Sequence, residues 1–479
     1  MKYSVITFGC RVNQADSLGF EEDLRARGAT WEAPDQADVV IVNTCSVTAS
    51  ADQAARQTVR RLARTNPAAK VVVTGCYATR RPEEFRDAPN VLRVVPNDDK
   101  RRLVAMLTTD VGLTTAQRFG DGEGSCGAVI EPGVAGRTAF TLRVQTGCAQ
   151  PCSYCIIPAT RGEPRSVPIS DVLSQVHRVA DAGFKEIAIT GVHLGSYGRD
   201  LSEGSSLVEL LRALGAATSG GRSPLARDAA PRQDAAPAVA IGSEPSGGPG
   251  RADRAEKERS ASEALRVSSD LEGGSPSLIR FRISSLEPMD CSREIVDLVA
   301  DGDSFAPHFH LPLQHASDRL LSAMRRPYTL AAYSTLVDSI RTRIPSASIG
   351  SDIIVGFPGE RDEDFEQLCR YLDRSPLTHL HVFPYSDRPG TAASSMSGKV
   401  AGVVIRTRAA HVRDIGHRLT AAFRDAQLGT IHRALTIGTG AVAVTGNYLK
   451  VRIPPGCDRN EWVTVRITEA GESMAGEVL

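Results

Sequence analysis

Three short runs of β-branched residues near the start of the chain each lead into a cysteine, and this repeat constrains the fold more than any other feature. Val5-Ile6-Thr7-Phe8-Gly9 precedes Cys10, Val39-Val40-Ile41-Val42-Asn43-Thr44 precedes Cys45, and Val71-Val72-Val73-Thr74-Gly75 precedes Cys76. Polar, helix-like stretches follow around residues 14–27 and 50–65. Strands alternating with helices of this length imply parallel pairing through right-handed crossovers, so residues 1–118 read as a small doubly wound α/β domain. In such a sheet all three thiols gather at one carboxyl edge, where open α/β sheets place their ligands. Three convergent thiolates suggest an iron–sulfur cluster with an open iron. The alternative, three buried small hydrophobes, leaves unexplained why each thiol closes its strand.

The alternation resumes over residues 134–400. Residues 138–144, 186–190, 279–284, 308–313, 348–355 and 378–383 read as buried strands, with helical patterns at 170–183, 292–301 and 330–344. Six such units predict a full or partial (β/α) barrel with its sites at the carboxyl ends of the strands. Residues 114–136, with Asp121-Gly122-Glu123-Gly124 and Pro132-Gly133, read as a linker. Residues 216–277 lie within a stretch that lacks any Phe, Trp or Tyr between Tyr197 and Phe281, and they read as a disordered low-complexity insertion. A basic linking helix is expected at 401–425. Strand-like runs at 433–444, 447–453 and 461–468 make residues 426–479 a small β-barrel.

With 56 Lys+Arg against 56 Asp+Glu, no net charge advertises a nucleic-acid partner, although a local basic surface remains open. The first ten residues lack a signal-peptide pattern, and no apolar run reaches the ~18 residues of a membrane helix. The expectation is a cytoplasmic, monomeric protein without a membrane partner. In a reducing compartment the 10 cysteines are not a disulfide framework. Cys148-Ala149-Gln150-Pro151-Cys152-Ser153-Tyr154-Cys155 follows the first barrel strand and supplies three thiolates to one metal centre. Four-cysteine sites usually fill every position themselves, so this set leaves an iron free for an outside ligand. Cys126, Cys291, Cys369 and Cys457 stand alone and read as structural or incidental thiols.

This cysteine triplet resembles the radical S-adenosylmethionine superfamily. Thr190-Gly191-Val192-His193-Leu194-Gly195, Arg282-Ile283-Ser284-Ser285-Leu286-Glu287-Pro288 and Gly350-Ser351-Asp352-Ile353-Ile354-Val355-Gly356-Phe357-Pro358-Gly359-Glu360 fall in the order that the superfamily would place them. Two three-cysteine sites on an α/β domain plus a barrel, with a terminal β-barrel, resemble the methylthiotransferase family over nearly the whole chain. Gly9-Cys10-Arg11-Val12-Asn13-Gln14 and Asn43-Thr44-Cys45-Ser46-Val47-Thr48 are most similar to its branch acting on N6-threonylcarbamoyladenosine in tRNA. The resemblance implies two 4Fe-4S clusters, one on Cys148, Cys152 and Cys155 and an auxiliary one on Cys10, Cys45 and Cys76. It also implies S-adenosylmethionine contacts at Gly191, Ser284, Glu287 and Gly356, and a TRAM-like module that holds tRNA. The implied reaction inserts a methylthio group at C2 of the modified adenosine beside the anticodon. The first cluster would reduce S-adenosylmethionine to a deoxyadenosyl radical, the second would carry the sulfur, and an unidentified electron donor would serve the first. No catalytic residue is assigned beyond the cluster ligands. The alternatives are methylthiolation of isopentenyladenosine or of a ribosomal protein, and, outside enzymes, an iron–sulfur RNA-binding or redox-sensing protein.

Three further features face the substrate. Arg406, Arg408, Arg413, Arg418, Arg424 and Arg433, against Asp414 and Asp425, suit a phosphate backbone; a solvated helix face accounts for them equally well. His308 and His310 share one strand face and are assigned to cofactor and substrate lining, not metal. Arg161 and Arg165 come first as partners for a substrate carboxylate, with phosphate binding an equal alternative.

Overall fold

The structure, a computed structural model, describes residues 1–111, 138–201, 205–218 and 279–479. The expected linker at 114–136 with Cys126, and all but the first three residues of the expected insertion, lie outside the described residues. No described helix is long and apolar enough to cross a membrane.

The first domain is a parallel five-stranded sheet in the order Thr30–Trp31, Lys2–Thr7, Val39–Thr44, Lys70–Gly75, Val91–Val95. The period-2 geometry of the strands sends Val39 and Ile41 to one apolar layer with Phe20 and Leu24, and Val40 and Val42 to the other with Val59 and Leu62. Burial on both faces makes the sheet doubly wound. The helix Ala49–Thr65 starts where Thr48 Oγ1 accepts a hydrogen bond from Ala51 N at 3.2 Å, an N-cap that satisfies one orphan donor. The two outer strands escape the sequence reading because one is a two-residue exposed edge and the other is only half-buried.

All six expected barrel strands are present. Phe140–Arg143, Glu186–Thr190 and Arg280–Ile283 form one parallel sheet, and His308–His310, Ser348–Val355 and His379–Pro384 form the other. Bonds from Leu286 N to His310 O at 3.0 Å and from Ala306 N to Phe281 O at 2.8 Å stitch the two into one partial barrel, and a single apolar core runs through it. The helix Gly402–Asp425 packs on the last strand, where Thr420 Oγ1 donates to Thr378 O at 3.0 Å.

The C-terminal strands close into a five-stranded barrel, ordered Ile431–Ile437, Val442–Thr445, Lys450–Arg452, Met474–Val478, Trp462–Glu469. The expected run at 433–444 is two strands, divided at Gly438 and Gly440, both at positive φ. A buried carboxylate moors this barrel to the core. Glu186 pairs with Arg280 at 2.6 Å and Arg282 at 3.1 Å, and those arginines donate to Val444 O and Gly446 O at 3.1 and 2.9 Å.

Candidate functional site

Parallel register brings the N-terminal cysteines together. Thr7 lies opposite Asn43, and Thr44 opposite Gly75, so the residues that follow meet at one edge. Gly9 sits at φ +91°, and a Cβ there would lie 2.4 Å from Cys45 Sγ; only glycine lets the first loop approach so closely. Burial pushes the Cys45 thiol up to about 12, with Cys10 and Cys76 adding to the effect. Thiols that feel each other in this way share one small volume. At Cys76 burial also raises the pKa, but Arg161 and Lys100 outweigh it and the net shift is downward.

Those two cations belong to a hub that docks this domain on the barrel. Asp16, buried, pairs with Lys100 at 2.7 Å, with Arg161 at 3.4 Å and with Arg143 on the first barrel strand. Burial alone would raise its pKa; Lys100, Arg143 and Arg161 together hold it down at about 2. Arg161 is 3% exposed and also donates to Asn13 Oδ1 at 2.6 Å, while Arg165 is paired with Asp98 at the surface at 3.3 Å. The two arginines expected to meet a substrate carboxylate are therefore engaged within the protein.

The second triplet lies on the loop after strand Phe140–Arg143. Gly147 turns that loop at φ +78°, where a Cβ would lie 1.9 Å from Glu163 O. Burial lifts the Cys155 thiol to about 12, with Cys152 and Cys148 contributing. Arg326 Nη1 donates to Cys152 Sγ at 3.1 Å, and its other nitrogens reach Glu287 and the Tyr328 hydroxyl. His193 contacts Asp290 at 2.8 Å; burial lowers its pKa, but bonds to Asp290 and Cys148 carry it up to about 9. Gln145 Oε1 accepts from Val192 N and His193 N, both at 2.9 Å, fixing the loop after the second strand. Gln145, His193, Asp290 and Arg326 have no sequence signature as a set and were not expected as site residues.

Beside the first triplet opens a cavity of about 1110 Å³, lined by Cys10 and Cys45 from the first domain, by Ile157, Gly191 and Ser284 from the barrel, and by Tyr448 and Met474 from the C-terminal barrel. One small-molecule site fills ~300–1,000 Å³, so this cavity has room for two ligands side by side.

Comparison with known proteins agrees with this arrangement. The family described as "Uncharacterized protein family UPF0004" matches residues 2–96, and the Radical SAM superfamily matches residues 142–372. The chain is 31% identical over 459 residues to the threonylcarbamoyladenosine tRNA methylthiotransferase MtaB of Aquifex aeolicus (strain VF5), covering 94% of this chain and 96% of that protein. It belongs to the methylthiotransferase family of radical S-adenosylmethionine enzymes. A sister relative, the tRNA-2-methylthio-N(6)-dimethylallyladenosine synthase of Aeromonas salmonicida (strain A449), is 28% identical over 454 residues, 91% of this chain and 81% of that protein. Among solved structures, the radical S-adenosylmethionine methyltransferase TsrM from Kitasatospora setae matches with TM-score 0.50 and 14% identity over 82% of this chain and 73% of that one, a likeness of fold.

The methylthiotransferase acts on tRNA, and its cofactors are S-adenosylmethionine and 4Fe-4S clusters. Its residues fit those groups. Ser284 Oγ is buried, faces the cavity and has no hydrogen-bond partner among the described residues, an uncompensated cost unless a ligand supplies one. Gly191 lines the same wall, where a Cβ would lie 2.8 Å from Leu194 Cδ2. Glu287 instead holds Arg326 behind Cys152. Gly356 turns away from the cavity: its open side faces Ile405, and its N–H donates to Glu360 at 2.6 Å.

The histidines come together across strands. His310 and His381 each approach Asp352 Oδ1 at 3.1 Å and each other at 3.2 Å, and Ser285 Oγ contacts His310 Nδ1 at 2.5 Å. His310, Asp352 and His381 form a group with metal-ligand spacing on the cavity wall. Their cross-strand register, His310 beside Gly350 and Asp352 beside His381, is invisible in the sequence, and it brings Asp352 against a histidine assigned to cofactor and substrate lining. The basic stripe divides between buried and exposed members. Arg408 is buried against Glu360 and Asp362 at 2.6 and 2.5 Å, and Arg418 pairs with Asp373 at 2.5 Å. Arg433 stacks on Trp462 at 3.9 Å, whereas Arg406, Arg413 and Arg418 are exposed on the helix.

Proposed function

We propose that this methylthiotransferase modifies C2 of N6-threonylcarbamoyladenosine next to the tRNA anticodon. The observation that carries the reading is the cavity where Cys10 and Cys45 of the first triplet, Gly191 and Ser284 at the strand ends of the barrel and Tyr448 of the C-terminal barrel converge, with a polar wall of Arg11, Asp352 and histidines. Such a wall suits a substrate tail bearing a carboxylate and a hydroxyl, and it suits an isoprenoid tail poorly, because buried donors left unpaired cost far more than an apolar mismatch. The name of the Aquifex relative points the same way.

In this reading Cys148, Cys152 and Cys155 hold the 4Fe-4S cluster that works with S-adenosylmethionine, and Cys10, Cys45 and Cys76 hold the auxiliary one. Bound together, these groups supply radical chemistry able to open an unactivated aromatic C–H bond. The chain's own residues orient and insulate them. Gly191 and Ser284 receive S-adenosylmethionine, Arg326 and Glu287 fix the Cys152 side of the loop, and Gln145 holds the Val192–His193 backbone. The C-terminal barrel holds the tRNA.

The test offers three tRNA pools to anaerobically reconstituted protein: unmodified, threonylcarbamoylated and isopentenylated. Nucleoside mass spectrometry should find the methylthio product in the threonylcarbamoylated pool. Product from the isopentenylated pool alone moves the chain to the sister branch.

A further inference from the structure

Four Lys or Arg side chains line the cavity: Arg11, Arg161, Arg424 and Lys450. Arg161 is engaged by Asp16 and Asn13, and Arg424 donates to the carbonyls of Gly471 and Glu472 at 3.0 and 3.2 Å. Lys450 is exposed at the start of its strand. Arg11 differs from all three. It opens the helix Arg11–Ala26 directly after Cys10, is half-buried, and has one hydrogen bond among the described residues, to the Tyr448 hydroxyl at 3.3 Å. It lines the cavity and has no carboxylate partner among the described residues.

Tyr448 provides the second observation. It is a non-glycine residue at φ +70°, a strained backbone region that persists where surrounding structure holds it and that gathers at ligand sites. The strain presents a ring that is 46% exposed. Around the ring stand the Arg282 guanidinium, 4.5 Å from its centroid, His308 at 5.1 Å and the Arg11 guanidinium at 6.0 Å. An aromatic face held out in this way by an RNA-binding module is a platform for an unstacked base.

The geometry points to Arg11 and Tyr448 as the subsite that recognises an N6-acylated adenosine ending in a free carboxylate, the ring supporting the flat base and the guanidinium meeting the carboxylate. This rests on the threonylcarbamoyl reading above. Purine chemistry supports the placement: C2 and the N6-bearing C6 flank N1, so a residue that reads the N6 tail has to lie beside the group that acts at C2. Arg11 adjoins Cys10, one side chain from the auxiliary site. Its planar fork can donate to both carboxylate oxygens.

The experiment uses the full, reconstituted chain and three synthetic anticodon stem-loops. Their adenosine carries the threonylcarbamoyl group, the same group with its carboxylate converted to the carboxamide, or isopentenyl. The wild-type protein should lose about 10–100-fold in kcat/KM when the carboxylate becomes the carboxamide, the range expected for hydrogen bonds to a charged group. Arg11→Gln should lose a similar factor on the carboxylate stem-loop, mainly through KM, and little on the carboxamide, while Arg11→Lys should recover part of the loss. Tyr448→Ala, on another domain from Cys10, should weaken both stem-loops alike. Iron content measured beside each rate identifies a variant that has lost its cluster, and the wild-type comparison of the two stem-loops stands without any variant. Equal use of carboxylate and carboxamide by the wild type overturns the proposal. Equal loss on both by Arg11→Gln at full iron content also overturns it, because the arginine then holds a phosphate. Wild-type activity confined to the isopentenyl stem-loop overturns the threonylcarbamoyl reading itself and this inference with it, a result distinct from the other two.

Discussion

Replacing Glu186 by Gln should loosen the C-terminal barrel from the core while leaving both cysteine triplets intact. Glu186 is buried between Arg280 and Arg282, whose remaining donors hold carbonyls of the barrel. Burial would raise its pKa, but the two arginines hold it from an ordinary 4.5 down to about 2. The difference between 4.5 and about 2, at ~1.4 kcal/mol per pH unit, makes the ionised carboxylate worth about 3–4 kcal/mol to the folded state. Removing one partner of a buried pair costs a similar ~3–5 kcal/mol, because two guanidinium charges are left behind. The pKa is depressed on folding, so this stability is fully present above pH 4.5 and is lost as pH falls toward about 2. A built-in probe reports the event. Of the 2 tryptophans, Trp31 is 62% exposed, whereas Trp462 is stacked under Arg280 at 4.8 Å. In a Trp31→Phe background, the urea midpoint read from Trp462 fluorescence should fall by about 1–3 M, taking ~1–3 kcal/mol per M for the slope. Iron content should not change, and the KM for tRNA should rise. An unchanged Trp462 midpoint in Glu186→Gln would refute the reasoning.

Two further outcomes are expected. Changing Cys10, Cys45 and Cys76 together to Ala should halve the iron while S-adenosylmethionine is still cleaved anaerobically and tRNA is no longer methylthiolated; loss of cleavage in a folded variant would contradict the division of labour. Excising residues 219–278 and rejoining the ends with a short Gly/Ser linker should preserve iron and activity. Thr218 Oγ1 and Phe281 N meet the same residue, Ser304, at 3.2 and 2.7 Å, so the flanking ends are neighbours; unfolding or iron loss on excision would show that the segment is structural.

Much of the architecture was legible because buried parallel strands read as continuous apolar runs, and all six barrel strands and three sheet strands announce themselves in this way. Thr30–Trp31 and Met474–Val478 did not, the first being too short and exposed to carry a pattern and the second containing Gly476 and a charged, exposed end. The cysteines were legible because spacing and strand position are one-dimensional facts. The His310–Asp352–His381 group was not, since its members sit on three strands and meet only through register. Composition misled at Arg408, where a positive residue on a helix is an internal tie.

The two carboxylate hubs differ in charge, and the difference makes a last prediction. Glu186 faces two cations whose other donors go to backbone carbonyls, whereas Asp16 faces three cations, Lys100, Arg143 and Arg161. One carboxylate cannot balance the buried Lys100 and Arg161 together with the partly buried Arg143, and an unbalanced buried charge is costly. The excess lies beside Cys76, whose thiol it holds down against burial, so the N-terminal hub is built to face an anionic centre at the cysteine edge. In the reading proposed above, Arg161 serves the Cys10–Cys45–Cys76 edge and domain docking and does not read substrate. Arg161→Met keeps the length of the side chain and removes its charge. The variant should lose up to half of its iron and, with it, methylthiolation, while anaerobic cleavage of S-adenosylmethionine at the other triplet continues. Full iron content in Arg161→Met, with a raised KM for tRNA, would instead return this arginine to the substrate.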